Sequence, residues 1–236
     1  MAYALHLGLD FGTSGVRACV LAPDDGIEAF ERIDFGEWRG DECTRVWRDA
    51  LAAVLARLPA GCRQRLRAVA VAGTSATVLA CDADLKPLAP AIAYHDLRAQ
   101  AEAARIAAIA PPDHPATGAS GGLAKVLHLE AALGAGRAAC YLNQADWLTG
   151  LLSGQAGHSD FHNALKMGYD PALKRWPDWL QGLPAAQALP VVAAPGSPVA
   201  ALARHYVRDL GIASDCLVRA GTTDSIAACS PAPLAR

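Results

Sequence analysis

Residues 7–21 constrain this chain more than any other stretch: Leu-Gly-Leu-Asp-Phe-Gly-Thr-Ser-Gly-Val-Arg-Ala-Cys-Val-Leu. Two apolar, strand-like segments flank a small polar turn bounded by Gly12 and Gly15, and one carboxylate, Asp10, stands at the end of the first segment. Alternating apolar residues on both sides of a short Gly-bounded turn predict two antiparallel strands. The turn also has the parts of a phosphate cradle. Its glycines can take dihedrals that other residues avoid, and its successive N–H groups and the Thr13 and Ser14 hydroxyls can converge on an anion. Asp10 could then hold a hydrated Mg²⁺ beside the same phosphates. The same letters also describe a plain hairpin turn with an acidic neighbour, so the choice rests on what else meets it.

Further along, strand-like segments near residues 4–10, 16–22 and 27–35, with Asp24-Asp25-Gly26 as the second turn, predict an antiparallel three-strand meander. Trp47, Ala50, Leu51, Val54, Leu55 and Leu58 recur at helical spacing, and Pro59 and Gly61 end that helix. Ala68-Val-Ala-Val-Ala72 reads as a strand buried on both faces, hence a parallel position in the sheet, and it runs into Gly73-Thr74-Ser75. Another strand near 77–81 turns at Asp82-Ala83-Asp84. From Leu97 the pattern becomes helical, broken by Pro111-Pro112 and by residues 118–122. A helix near 199–210 is expected to cover the sheet, and a short strand near 217–220 leads into Gly221-Thr222-Thr223-Asp224. These segments describe a mixed α/β sheet with helices on both faces and polar groups gathered at strand ends, where open sheets usually bind ligands.

Composition narrows the function classes. The 236 residues are 53% hydrophobic, ample for a buried core. Twenty-one basic residues against 23 acidic ones give a net charge of −2, and no basic cluster occurs, which argues against nucleic acid as a partner. The opening Met-Ala-Tyr-Ala-Leu-His lacks a signal-peptide pattern and no apolar run is long enough to span a bilayer, so no membrane association is expected. Seven cysteines with no Cys-x-x-Cys pair fit a reducing, cytoplasmic setting in which Cys19 and Cys81 pack as small hydrophobes.

Three Gly/Thr/Ser clusters, at residues 12–15, 73–75 and 221–225, stand at strand ends, and two bring a carboxylate. If all three ends share one edge of the sheet, hydroxyls, free N–H groups, Asp10 and Asp224 line one cleft. Phosphoryl transfer needs that set: donors and a cation for the travelling charge, and a group that orients the attacking hydroxyl and takes its proton. Asp224 is the candidate for the last role. It opens a predicted helix, Asp-Ser-Ile-Ala-Ala, and an aspartate there also reads simply as an N-cap. His158 and His162 have the spacing of two imidazoles on one helix face, but no glutamate lies between them and no third zinc ligand is evident.

Five segments, taken in order, resemble the FGGY carbohydrate kinases: residues 7–15, 72–77 (Ala-Gly-Thr-Ser-Ala-Thr), 93–99 (Ala-Tyr-His-Asp-Leu-Arg-Ala), 159–166 (Ser-Asp-Phe-His-Asn-Ala-Leu-Lys) and 220–225 (Ala-Gly-Thr-Thr-Asp-Ser). The resemblance covers essentially the whole chain and is nearest the D-ribulose kinase and xylulose-kinase-like branch. It implies a ribonuclease-H-like, actin-like ATPase fold and ATP-dependent phosphorylation of a ketopentose, D-ribulose or D-xylulose, at its primary hydroxyl. By the same resemblance Gly12, Thr13, Ser14 and Gly15 would meet the ATP phosphates and Asp10 would organise Mg²⁺ through water. Asp10, Ser75 and Asp224 would meet the sugar, with Asp224 as general base. Lys125 and Ser120 fall in a segment that resembles one bordering the sugar pocket, and they read equally as a helix with its N-terminal loop. Family members continue past the aspartate into a second domain. Residues 1–229 would therefore be the N-terminal sugar-kinase domain, residues 230–236 a tail in which Pro231 halts the last helix, and the C-terminal ATP-binding domain would lie outside this chain. The partners implied are a small sugar and either a homodimer mate or that C-terminal domain. Two rival expectations are an actin-like ATPase with no sugar acceptor and an inactive half-kinase that only binds sugar or a partner.

Overall fold

A computed structural model describes residues 3–37 and 40–229. The chain opens with strands β1 (Leu5–Phe11), β2 (Gly15–Leu21) and β3 (Ile27–Asp34), then helices α1 (Cys43–Arg57) and α2 (Ala60–Arg63) and strands β4 (Leu66–Gly73) and β5 (Val78–Cys81). Next come α3 (Gln100–Ala107), α4 (Gly122–Leu133), β6 (Cys140–Asn143), α5 (Gln144–Ser153), β7 (His158–Asp160) and α6 (Phe161–Leu165). Strands β8 (Val191–Ala193) and β9 (Pro198–Ala201), α7 (Arg204–Leu210), β10 (Leu217–Arg219), β11 (Thr222–Thr223) and α8 (Asp224–Cys229) complete it.

The main sheet is mixed, in the order β3-β2-β1-β4-β10-β9, with β11 also paired to β4. The first three strands form the expected antiparallel meander, and β4 lies parallel to β1 on one side and to β10 and β11 on the other. Side chains alternate across a strand, so Leu5, Leu7, Leu9 and Phe11 all enter the core while His6 and Gly8 are exposed. Helix α1 buries Trp47, Leu51, Val54 and Leu55 in the same core, and its Trp47 meets Trp147 of α5 edge-on, ring centroids 6.3 Å apart. Burying a side chain such as Leu51 contributes about 1.5–3 kcal/mol. Helices α1 and α5 touch each other on one face of the sheet, and His6 and Gly8 on the opposite side of β1 are exposed. A second apolar cluster, around Ile106, Leu123, Val126 and Tyr141, packs α3 and α4 beside the small β5–β6 ladder.

The segment at 199–210 departs from its predicted helix. Residues Pro198–Ala201 form β9, an antiparallel neighbour of β10, and only Arg204–Leu210 is helical. Backbone pairing to a waiting strand outweighs the modest helix preference of Val-Ala-Ala. The expected stop at Pro231 and the tail 230–236 lie outside the described residues. Cys19, Cys43, Cys62, Cys81, Cys140 and Cys216 are free, and all of these but Cys19 are buried; burial pushes the Cys140 thiol up to about 11, as expected of packing rather than reactive thiols. Among the described residues no helix is long and apolar enough to cross a membrane.

Candidate active site

The strand ends converge. Asp10 from the end of β1, Gly12, Thr13 and Ser14 from the β1–β2 turn, Arg17 of β2, Thr74 and Ser75 after β4, Tyr94, Lys166 and the α8 residues Asp224, Ser225, Ala227 and Ala228 line one cleft of about 820 Å³. The two carboxylates from opposite ends of the sequence therefore share a pocket. Parallel pairing is the cause: Asp10 registers with Ala72 across β1–β4, and Thr222 registers with Ala72 from the other side. Residues 10 and 224 thus leave the sheet at the same edge.

Each wall is fixed locally. The β1–β2 turn is closed by the Gly12 N–H donating to the Gly15 carbonyl at 3.0 Å. Thr74 donates from both N–H and Oγ1 to the Gln144 Oε1, at 2.9 and 2.8 Å, which ties the loop after β4 to the first turn of α5. Ahead of Asp224, the His162 Nδ1 and Thr222 Oγ1 are 2.8 Å apart, joining α6 to β11. Asp224 is the first residue of α8, and its Oδ1 accepts the Ser225 N–H at 2.7 Å. The carboxylate so combines its role at the helix start with a place in the cleft wall.

Two expectations for the Gly-bounded turn are corrected. Neither Gly12 nor Gly15 adopts a left-handed dihedral. Gly15 does not line the cleft: it lies against β3, where a Cβ would come within 2.5 Å of the Ile33 carbonyl oxygen. Its need is close approach of a neighbouring strand rather than unusual φ. Gly12, Thr13, Ser14, Ser75, Asp10 and Asp224 do line the cleft. The helical spacing imagined for His158 and His162 is absent, because His158 lies on β7 and Asp160 caps α6 between them. Among the described residues no group of three or more His, Cys, Asp or Glu is placed to hold a metal ion.

Arg17, Tyr94 and Lys166 also line the cleft, and sequence reasoning missed them as site residues. Arg17 was recoverable: a hairpin closed between Gly12 and Gly15 forces Asp10 opposite Arg17, and the two side chains meet at 3.0 Å. Both are about half exposed, so the pair adds little stability and the carboxylate can exchange this partner at small cost. Tyr94 and Lys166 lie on segments already singled out, but nothing local in their spacing points them at the cleft.

Behind α6 lies a buried polar cluster. The Asp146 carboxylate accepts the Asn143 N–H and Nδ2 and the Ser159 hydroxyl, at 3.0, 3.1 and 2.8 Å. Burial, with Asp160 nearby, pushes Asp146 up to about 8. A carboxyl raised in the fold binds its proton more tightly there than in the unfolded chain, so its contribution is complete below the unfolded value near 4 and is lost as pH rises towards 8. Asp146→Asn should remove that dependence. Melting curves at pH 5 and pH 8 should show wild type losing stability relative to the variant; parallel behaviour would contradict the buried neutral acid.

Solved structures give the fold its relatives. The chain is similar to the xylulose kinase of Rhodospirillum rubrum, with a TM-score of 0.82 and 22% identity over 95% of this chain and 50% of that one. It is also similar to the gluconate kinase of Lactobacillus acidophilus, with a TM-score of 0.78 and 16% identity over 95% and 49%. The glycerol kinase of Plasmodium falciparum, solved with ADP, matches with a TM-score of 0.76 and 15% identity over 96% and 50%. The fold is thus the ribonuclease-H-like, actin-like ATPase type found in these kinases. The chain spans about half the length of the solved structures it matches. No protein-family model matches it.

Proposed function

We propose that this chain supplies the sugar side of a carbohydrate kinase site, in which the γ-phosphoryl of MgATP passes to the primary hydroxyl of a ketopentose, D-ribulose first and D-xylulose second. The observation that carries this reading is the sharing of one cleft by Asp10, Ser75 and Asp224 with the Thr13-Ser14 turn. Similarity to solved sugar kinases supports the class, and the half-length match supports a division of labour in which residues 1–229 hold sugar and a further domain or partner holds ATP.

Asp224 is the proposed general base. Its carboxylate accepts a hydrogen bond from the sugar hydroxyl, orients that oxygen towards the γ-phosphorus and takes the proton as the new O–P bond forms and the bond from that phosphorus to the bridging oxygen breaks, ADP leaving. The Ser75 hydroxyl, which has no hydrogen bond to another described residue, is free to hold the sugar beside it. Thr13, Ser14 and the turn N–H groups face the phosphates, with Arg17 contributing positive charge. The donor set fits Mg²⁺: a half-exposed Asp10 carboxylate with hydroxyls nearby suits a cation that keeps most of its waters. When bound, the ion neutralises phosphate charge.

Calorimetric titration with D-ribulose, D-xylulose and glycerol, with ATP hydrolysis followed separately, tests the proposal. Saturable pentulose binding with little turnover by this chain alone is expected. Hydrolysis of ATP indifferent to sugar, with no binding heat, would instead favour an actin-like ATPase with water as acceptor.

A further inference from the structure

Lys125 is fully buried in α4, among apolar neighbours, with no carboxylate in contact. Its Nζ donates instead to three backbone carbonyls, those of Ala76 at 2.8 Å, Ala93 at 2.8 Å and Tyr94 at 3.0 Å. These carbonyls belong to the two segments that carry Ser75 and Tyr94 into the cleft. The segments pair through Val78 and Ile92, which exchange N–H donors at 2.9 Å each, and through the Tyr94 N–H on the Thr77 Oγ1 at 3.1 Å. Next to that pairing the ammonium donates to carbonyls of both segments.

One of the chain's left-handed non-glycine residues lies at the same place. Ala76, directly after Ser75, has a φ of +62°, a left-handed conformation that costs a non-glycine residue roughly 1 kcal/mol and persists only where surroundings enforce it. The carbonyl of that strained residue is one of the three that Lys125 holds. From these contacts we infer that Lys125 is a positioning residue: its ammonium clamps the 74–77 loop to the 92–96 segment and so sets the spacing of Ser75 and Tyr94 across the sugar end of the cleft. This inference rests on the sugar-binding reading of the cleft for its consequence, though not for the clamp itself.

The chemistry requires a charged group. An ammonium carries three hydrogens for three acceptors; a neutral amine carries two. Burial pulls Lys125 down to about 8, opposed by Asp96, itself ion-paired with Arg98, and reinforced by Lys166 from the cleft side, so at neutral pH it remains an ammonium. On its own helix, His128 faces Glu102 of α3 instead.

Lys125→Met keeps an unbranched apolar stem as far as Cε while removing the nitrogen and all three donors. It should speed amide exchange in residues 74–77 and 92–96 while leaving β1 and β4 unchanged, and weaken pentulose binding about tenfold or more. Leu127→Ala, on the same helix but away from the carbonyls, should destabilise the fold and leave affinity within about twofold. In wild type with ¹⁵N-labelled lysine at pH 6.5, one persistent NH₃⁺ signal with three attached protons should appear and should vanish in Lys125→Met. Absence of that signal overturns the clamp even if the variant does not fold. Uniformly faster exchange, or equal affinity losses in Lys125→Met and Leu127→Ala, also overturns it. Localised loosening with no pentulose binding by any protein leaves the clamp standing and sinks the sugar reading instead.

Discussion

Replacing Gly221 by alanine should destabilise the chain by about 3 kcal/mol or more and abolish ligand binding in the cleft. A Cβ at this position would lie 2.0 Å from the Val71 carbonyl oxygen of β4, closer than any side chain can approach. The obstacle is backbone in the central strand, so relief requires the 220–223 segment to lift away. That segment begins β11, whose Thr222 and Thr223 pair with Ala72 and Gly73 immediately before the Ser75 loop. Lifting it displaces Asp224. Denaturant unfolding of Gly221→Ala beside Gly182→Ala, where nothing lies within 4 Å of the added carbon, checks the magnitude; the second should change stability by no more than about 0.5 kcal/mol. Equal stability of the two variants would contradict the close approach.

The second large effect concerns Asp224 itself. Asp224→Ala should weaken pentulose binding by about tenfold to a hundredfold, the usual worth of a hydrogen bond to a charged group. Asp224→Asn keeps an acceptor but loses the charge and the capacity to take a proton, so it should retain part of the affinity and none of the base function. The half-buried Asp224 carboxylate also accepts the Ser225 N–H, so stability should fall by about 1 kcal/mol at most, the scale of a lost cap. Affinity by calorimetry and stability by denaturation separate the roles. Loss of stability with unchanged affinity would leave Asp224 as a helix cap alone.

Much of this fold is legible in the sequence because its largest signals are periodic. The alternation of Leu5, Leu7, Leu9 and Phe11, the helical spacing from Trp47 to Leu55 and the apolar run Ala68–Ala72 each repeat often enough to be read. Strands such as β6, β7, β8 and β11 hold two to four residues, too few for a period, and exist because a partner strand is already in place. The cleft residues at strand ends were legible for the same reason as the strands that carry them. Lys125 was legible only as a member of a segment resembling one that borders a sugar pocket; its three carbonyl acceptors were not, because they come from residues 31 to 49 positions away, brought together only by tertiary packing. The glycines teach a narrower lesson. Gly15 and Gly221 are required by the backbone of neighbouring strands, a contact between distant residues that no local turn pattern encodes.

A crystal structure of the chain grown with D-ribulose tests the central claim most directly. The account predicts a sugar in the cleft between the β1–β2 turn and α8, its primary hydroxyl within hydrogen-bond distance of the Asp224 carboxylate and another hydroxyl on Ser75. A sugar bound elsewhere, or in the cleft with no hydroxyl near Asp224, would contradict it.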